Sequence, residues 1–408
     1  MCSSDLWLLN RHLGQAAFGL SVLAFTIVSI IAGILGAAFQ KTVLYRVAHA
    51  HGSGDGAVAG RVTAVALAWG TTLAAVVGVL VALAAAPVAE LFGKPDLAPW
   101  LLGLSALIPL DVARAVLAAA RRGQQDIDAW VISREVLPGL VRVGVFLPAL
   151  LAFSGFGAAV TAYIASFVVP VAYLLWRSAL GALGRVFSPS DRAYGAKIAL
   201  TQVLNRPSKS LDLLVIGAAA TEAVLAQYAL ASRLAMLAGT ARQAISKLLV
   251  PRLGALMAKG KGEAKALARE YAVTREAALV VSLAVSLLFL LSGEWLLNLF
   301  GDYSGAVTVL FGLAAVIVVR AMFGDTGGYM QMRGYAGTTL VLTAFSVLLL
   351  VTLVYLLPRP VEGEHVALAM VAVTLSHCTL MGLAAAARDR FHMIDTVTAA
   401  VGGSAVAS

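Results

Sequence analysis

The chain has 408 residues, 60% of them hydrophobic and 12% charged, with a mean hydropathy of +0.90. Soluble domains are about 45–50% apolar and about 25% charged, so this composition excludes a water-soluble globule, a disordered chain and a nucleic-acid binder, and places the protein in a membrane. The net charge of +9 is first a report on orientation, because cytoplasmic loops collect Lys and Arg; the two cysteines, Cys2 and Cys378, make no disulfide framework.

At roughly 20 residues per helical span plus connections, the chain has room for about eleven or twelve spans and no sizeable soluble domain. In chain order, apolar runs long enough to cross a bilayer lie at about Phe18 to Phe39, Val62 to Ala86, Leu97 to Ala120, Ala129 to Phe153 and Ala158 to Trp176. A second series follows at Ile198 to Ala220, Ala223 to Ile245, Ala277 to Phe300, Ala306 to Met322, Thr338 to Leu357 and Val366 to Ala387. The strands of a membrane barrel would instead alternate over segments of about ten residues. These continuous runs predict an all-α polytopic membrane protein with about eleven spans.

The connecting loops alternate in charge. One set carries Lys41, Arg46 and Arg61, then Arg121 and Arg122, then Arg177, Arg185, Arg192 and Lys197. It continues with Lys247, Arg252, Lys259, Lys261, Lys265, Arg269 and Arg275, then Arg333, and ends with Arg388 and Arg390 in the tail. The intervening set holds Lys94 and Arg359 against Glu90, Asp96, Glu222, Glu294, Asp302, Glu362 and Glu364. The first set is expected on the cytoplasmic side, C-terminus included, of a cell inner membrane. An odd number of spans then puts the N-terminus outside, which is the first sign of a span missing at the front.

Internal similarity gives the second. Leu91-Phe92-Gly93 recurs as Leu299-Phe300-Gly301, Arg122-Gly123 as Arg333-Gly334, and Ala17-Phe18-Gly19-Leu20 sits opposite Gln227-Tyr228-Ala229-Leu230. All three pairs are separated by about 210 residues, as internal repeats of a transporter would be. We therefore expect two similar halves, 1–185 with about five spans and 186–408 with six, joined near Ser188-Pro189-Ser190-Asp191. The span at Ile198 to Ala220 should have its first-half counterpart mostly ahead of residue 1, with Trp7-Leu8-Leu9 as its last turn and Met1 to Asp5 of uncertain origin.

Several segments resemble the polysaccharide-biosynthesis flippases, the O-antigen and lipid-linked oligosaccharide branch of the multidrug/oligosaccharidyl-lipid/polysaccharide exporter superfamily. Asn10 to Gly19 is similar to the family's opening Arg-x-Leu-Gly-x-x-x-Phe-Gly, and Ala223 to Leu234 to its Glu-Ala-x-x-x-Tyr-x-x-Ala-x-x-Leu span. Pro251-Arg252-Leu253 and Leu299-Phe300-Gly301-Asp302-Tyr303 continue the resemblance along the chain. It implies two pseudo-symmetric six-helix bundles around a central cavity open alternately to each side, with most of the first span absent here.

Ionisable residues deep in a bilayer cost roughly 2.5–3.5 kcal/mol each on insertion scales and face a cavity or a partner. The densest group is Asn205 to Asp212 in the first span of the second half, where Arg206, Lys209 and Asp212 recur every three residues on one helical face and Pro207 would kink the helix. Arg233 lies midway down the next span. Such a polar, kinked, basic segment suits an anionic headgroup; alternatively, Asp212 neutralises Lys209 or Arg206 in a buried structural pair. In the first half, Asp111 and Arg114 are three apart and read first as an internal ion pair. Arg142 and Arg320, the latter roughly the counterpart of Arg114, are candidate cavity cations, whereas Arg134 and Glu135 lie near enough to the interface to snorkel.

Other patterns lead elsewhere. Asp126-Ile127-Asp128 matches a metal-using Asp-x-Asp but sits in a short turn, and His49-Ala50-His51 has no carboxylate or Cys to complete a metal set. His377 beside Cys378 reads as a core hydrogen-bonding residue. Lys259 to Arg275 suits a helix on an anionic leaflet or a positive-inside loop. The chain contains no phosphate-binding Gly-x-x-x-x-Gly-Lys-Ser/Thr loop.

The expected function is therefore a secondary transporter, not an enzyme and without cofactor or metal, that flips a polyprenyl-pyrophosphate oligosaccharide for polysaccharide export. Arg206, Lys209 and Arg233, with Arg142 and Arg320, are the expected pyrophosphate and cavity residues; Asp212 and Asp111 are the candidates for coupling to a proton or sodium ion. Anionic lipids and glycan-assembly proteins are the expected partners. A multidrug or cation antiporter of the same superfamily is disfavoured because deep Arg and Lys outnumber deep Asp. A membrane-embedded glycan polymerase or ligase would carry a long outer loop, and the outer loops here are short.

Overall fold

The computed structural model describes residues 11–178, 180–182, 202–203, 210–236, 239, 264–301, 303–332, 335–357, 359 and 361–389. Among them there is no strand, and eight helices are long and apolar enough to cross a membrane, with a ninth apolar helix, Val307–Phe323, somewhat shorter. The protein is an all-α polytopic membrane protein. These nine helices cover nine of the expected spans; the runs beginning near Ile198 and Ala223 are described only in part.

The chain divides into two compact units, residues 1–218 and 219–408. In the first, α1 (Gln15–Gly52) and α2 (Gly56–Leu83) are joined by a tight turn. Gly54 takes φ 76° there, and the Asp55 side chain accepts the Val58 amide at 3.0 Å to cap α2. A short α3 (Ala85–Leu91) follows, then α4 (Leu97–Leu104) and α5 (Leu107–Gly123), which together make one span. The break between α4 and α5 has a local cause. Pro109 has no N–H for the Ser105 carbonyl, and the Ile108 amide takes that carbonyl instead, at 3.0 Å.

A similar cause acts in the next span. It consists of α6 (Ile127–Val131), a π-turn (Ile132–Val136) and α7 (Leu137–Ala152). Pro138 cannot donate to the Arg134 carbonyl and its ring crowds that position, so the helix widens for one turn. α8 (Gly155–Arg177), capped by Ser154, completes the fifth span. This unit also takes in α9 (Leu211–Ala219) as far as residue 218.

Small residues set how closely these helices approach. A Cβ on Gly36 of α1 would lie 3.5 Å from Ala115 Cβ of α5, and one on Gly78 of α2 would lie 3.2 Å from the Ser105 oxygen. Between membrane helices, where lipid is as apolar as Leu, such close packing supplies the association energy.

The second unit contains the helical residues 222–236 (α10), α11 (Ala264–Asn298), a 3₁₀ turn (Ser304–Ala306), α12 (Val307–Phe323), α13 (Thr326–Met332), α14 (Ala336–Leu356) and α15 (Gly363–Asp389). Tyr271 of α11 donates to the Phe323 carbonyl at 2.7 Å and lies 3.0 Å from Thr326 Oγ1, bridging the break between α12 and α13. Gly324, at that break, has φ 65°.

Two of the sequence pairs occupy similar places in their own units. Gly93 and Gly301 each follow a helix end with positive φ, 62° and 121°, and Phe18 and Tyr228 are both fully buried. Of the third pair, Arg333-Gly334 lies outside the described residues.

Candidate functional site

A cavity of about 300 Å³ opens within the first unit. One wall is the α1 face from Phe25 to Gln40, where Ala32, Gly33, Gly36 and Ala37 leave room at the backbone. Asp111, Arg114 and Ala115 of α5 form the second wall; Arg134 of the π-turn, Phe167 of α8 and Ser210 complete it. Among the described residues, the polar lining is thus two guanidinium residues, one carboxylate, Gln40, Ser29 and Ser210, a formal sum of one positive charge.

Asp111 and Arg114 make the ion pair their spacing predicts. Arg114 Nη2 lies 2.6 Å and Nε 3.3 Å from Asp111 Oδ1, one turn apart on the same helix face. The guanidinium carbon stands 4.5 Å over the Phe167 ring, which fixes the plane of the cation from below. The sequence places Arg134 near the interface, whereas the structure puts it in the lining through the π-turn, for which the sequence signal is Pro138 four residues on.

Arg142 is not part of this lining. It is 4% exposed, lies over the Tyr163 ring at 4.8 Å, and donates through Nη2 to Ser166 Oγ at 3.3 Å. Ser166 in turn donates to the Tyr163 carbonyl at 2.7 Å, and Tyr163 stacks on Phe25 at 5.3 Å. The guanidinium therefore ties α7 to α8, and Phe25 connects that cluster to the cavity wall.

Of the other expected site residues, Arg206 and Lys209, with Pro207, lie outside the described residues. Asp212 is partly buried in the first turn of α9, where the helix dipole favours a carboxylate, and it does not line the cavity. Arg233 and Arg320 belong to the second unit. Arg233 is partly buried on α10 with Nη1 3.9 Å from Met236 Sδ. Arg320 is exposed in the last turn of α12, a position the dipole favours for a cation.

Asp126, the first carboxylate of the Asp-x-Asp, caps α6 by accepting the Ala129 amide at 3.2 Å and pairs with Arg177 at 3.1 Å and Arg121 at 3.6 Å. Burial alone would raise its pKa. The hydrogen bonds from Arg177 and Ala129, with the charges of Arg177 and Arg121, outweigh that and hold it below the usual carboxylate value. His377 bonds Ser346 at 2.8 Å, a core contact between α15 and α14. Among the described residues, Glu362, Glu364 and His365 bring ligand atoms within 4.8 Å of one another; carboxylates are favoured at that helix start by the dipole alone.

The fold is that of an all-α polytopic membrane protein with a polar cavity inside its first unit. The arrangement resembles a multidrug resistance MATE family transporter of the MOP superfamily in an inward-facing conformation, with 20% identity, a TM-score of 0.79 and 95% of each chain covered. It also resembles a MOP superfamily transporter from Pyrococcus furiosus described as having a binding pocket of reverse polarity, with 19% identity, a TM-score of 0.66, and 94% of this chain and 90% of that one covered. Among curated proteins no sequence is significantly similar. The family model described as "Polysaccharide biosynthesis protein" matches residues 8–303, and the chain belongs to that family.

Proposed function

We propose that the protein is a flippase that moves a lipid-linked oligosaccharide across the cytoplasmic membrane, and that the first-unit cavity receives the anionic headgroup of the carrier. The observation that carries this reading is the pair of arginines, Arg114 and Arg134, lining one cavity with a single carboxylate. Guanidinium groups grip phosphate oxygens through a planar fork, and several nearby cations offset the desolvation of a diphosphate entering a low-dielectric site. Lys209 and Arg206 join this set on sequence grounds, since Lys209 directly precedes the cavity-lining Ser210. Arg233 and Arg320 would serve as cations of the second half, and Asp212 as the counter-charge of Arg206 or Lys209 or as a residue for the coupling ion. The saccharide and lipid tail lie beyond what these side chains would grip.

The test is complementation of a flippase-deficient strain by Arg114→Gln, Arg134→Gln and Arg206→Gln, Lys209→Gln variants. Glycan export should fall while membrane abundance stays near normal. Full export by the Arg114→Gln, Arg134→Gln double variant at wild-type abundance would overturn the reading.

A further inference from the structure

Away from the cavity, the last turns of α5 and α8 and the first turn of α6 meet around one carboxylate, that of Asp126. Its Oδ2 lies 3.1 Å from Arg177 Nη2 and 3.6 Å from Arg121 Nη1, and its Oδ1 accepts the Ala129 amide. The Arg121 side chain is largely buried, whereas that of Arg177 is 44% exposed. A third guanidinium, that of the exposed Arg122, stands 5.5 Å over the Trp130 ring. Among the described residues no carboxylate pairs with it.

The helix dipole favours a cation in the last turn of α5 or of α8. It does not call for three at one corner that share a single ion-pairing carboxylate, with an aromatic ring under the third. Counting the exposed Asp128, the corner sums formally to one positive charge. The surface beside these cations is apolar. Trp176, next to Arg177 in the chain, is 81% exposed, and Leu175 and Ile127 are exposed as well. Trp130 and Tyr173 pack on one small core of Leu117, Ala118 and Leu174, and Trp176 lies 6.5 Å from Tyr173. Trp and Tyr side chains collect at headgroup depth in a bilayer, which puts the neighbouring guanidinium groups level with lipid phosphates.

We infer that this corner of the first unit binds one anionic phospholipid of the adjoining leaflet, with the headgroup held by Arg122 and Arg177 and an acyl chain against Trp176. Guanidinium forks match phosphate oxygens, and Arg121 adds its charge from its buried position. Asp126 competes with the lipid for Arg177. A soluble anion gains nothing from an exposed tryptophan, and a zwitterionic lipid brings its own ammonium, which cancels the attraction. These residues are other than the Lys259 to Arg275 stretch, and the site does not depend on what the cavity carries.

The experiment uses the full-length protein in detergent, delipidated and titrated with phosphatidylglycerol or, separately, with phosphatidylcholine, while native mass spectrometry counts bound lipids. The first phosphatidylglycerol should bind more tightly than the first phosphatidylcholine. One basic residue near an anionic lipid changes binding about fivefold, so Arg122→Gln and Arg177→Gln should each weaken phosphatidylglycerol by about that factor and leave phosphatidylcholine unchanged. Arg359→Gln, the same loss of charge at an exposed position between α14 and α15, should have no effect. Asp126→Asn removes the competitor and should tighten phosphatidylglycerol binding. Arg177→Gln and Asp126→Asn also break an ion pair, so Arg122→Gln decides the matter if either fails to fold. Unchanged phosphatidylglycerol affinity in Arg122→Gln, an equal loss in Arg359→Gln, or equal binding of both lipids by the wild type overturns the inference. Displacement of phosphatidylglycerol by an equal concentration of glycerol 3-phosphate also overturns it and assigns the corner to a soluble anion.

Discussion

Pro138 stands four residues after Arg134, and between them the helix opens into the π-turn Ile132–Val136 that carries Arg134 into the cavity lining. The relationship is covalent in origin, since the missing proline N–H and the bulk of its ring both fall on the Arg134 carbonyl. Pro138→Ala restores a donor there and allows regular winding, which rotates Arg134 away from its present direction. We expect lower export with equal or higher thermal stability. An Ala variant that transports at the wild-type rate would separate the π-turn from function.

Arg142 answers to a different demand. Its hydrogen bond to Ser166 and its contact with Tyr163 are buried between α7 and α8, so replacing it leaves that bundle short of a charge-assisted hydrogen bond worth about 1.5–3 kcal/mol. Arg142→Gln should lower the melting temperature and membrane abundance. Arg114→Gln, at the cavity wall, should chiefly lower anion affinity. A Gln variant at 142 with unchanged melting temperature would remove the structural role.

The span pattern was legible in the sequence because a bilayer demands length and apolarity and little else. Asp111 with Arg114 was legible as a pair because three-residue spacing fixes a shared helix face. Arg134 was not, because its depth and direction depend on a local widening of the helix that hydropathy does not register. Arg142 has the hydropathy signature of a cavity cation, yet what distinguishes it is the position of Ser166 and Tyr163 on a neighbouring helix, a relation no single span encodes. The grouping of α9 with the first unit likewise depends on packing: a Cβ on Gly217 would meet Leu23 at 2.6 Å.

Two glycines test the packing in opposite directions. A Cβ on Gly312 of α12 would lie 2.7 Å from Ala367 Cβ of α15, so Gly312→Val should overpack the second unit and cost about 1–3 kcal/mol. Gly144 of α7 has nothing within 4 Å of such a Cβ, and Gly144→Ala should stabilise by about 0.4–1 kcal/mol through the unfolded chain. Thermal unfolding in detergent reads both, and equal shifts would contradict the difference in local space.

Loop charges predict sidedness. Asp55 and Lys94 flank α2 and α3 at opposite ends of one span, with Asp55 among basic loops and Lys94 beside Glu90 and Asp96. Cysteine labels at Asp55, Arg185 and Lys261 should react from the cytoplasm, and those at Lys94 and Glu362 from outside. Labels at Lys261 and Glu362 reacting from the same side would refute this topology.

The carboxylate of Asp126 joins the end of α5, the start of α6 and the end of α8 through Arg121, Ala129 and Arg177. Its pKa is depressed in the folded protein because these partners outweigh the cost of burial. The unfolded chain therefore binds this proton more readily than the folded one, and the contribution to stability is full above the unfolded carboxylate value of about 3.9. It is lost as pH falls below that value and through the lower folded one. Melting temperature should thus show no Asp126-dependent change between pH 7 and pH 5 and should drop on further acidification. Asp126→Asn retains a side-chain oxygen able to cap α6 but carries no charge, so it should be less stable than wild type at pH 7 and the difference should close as pH falls below about 4. Asp126→Ala loses the cap as well and should be less stable by about a further 1 kcal/mol at every pH. A wild-type-minus-Asn difference that stays constant down to pH 3 would show that the carboxylate's charge makes no contribution to holding these three helix ends together.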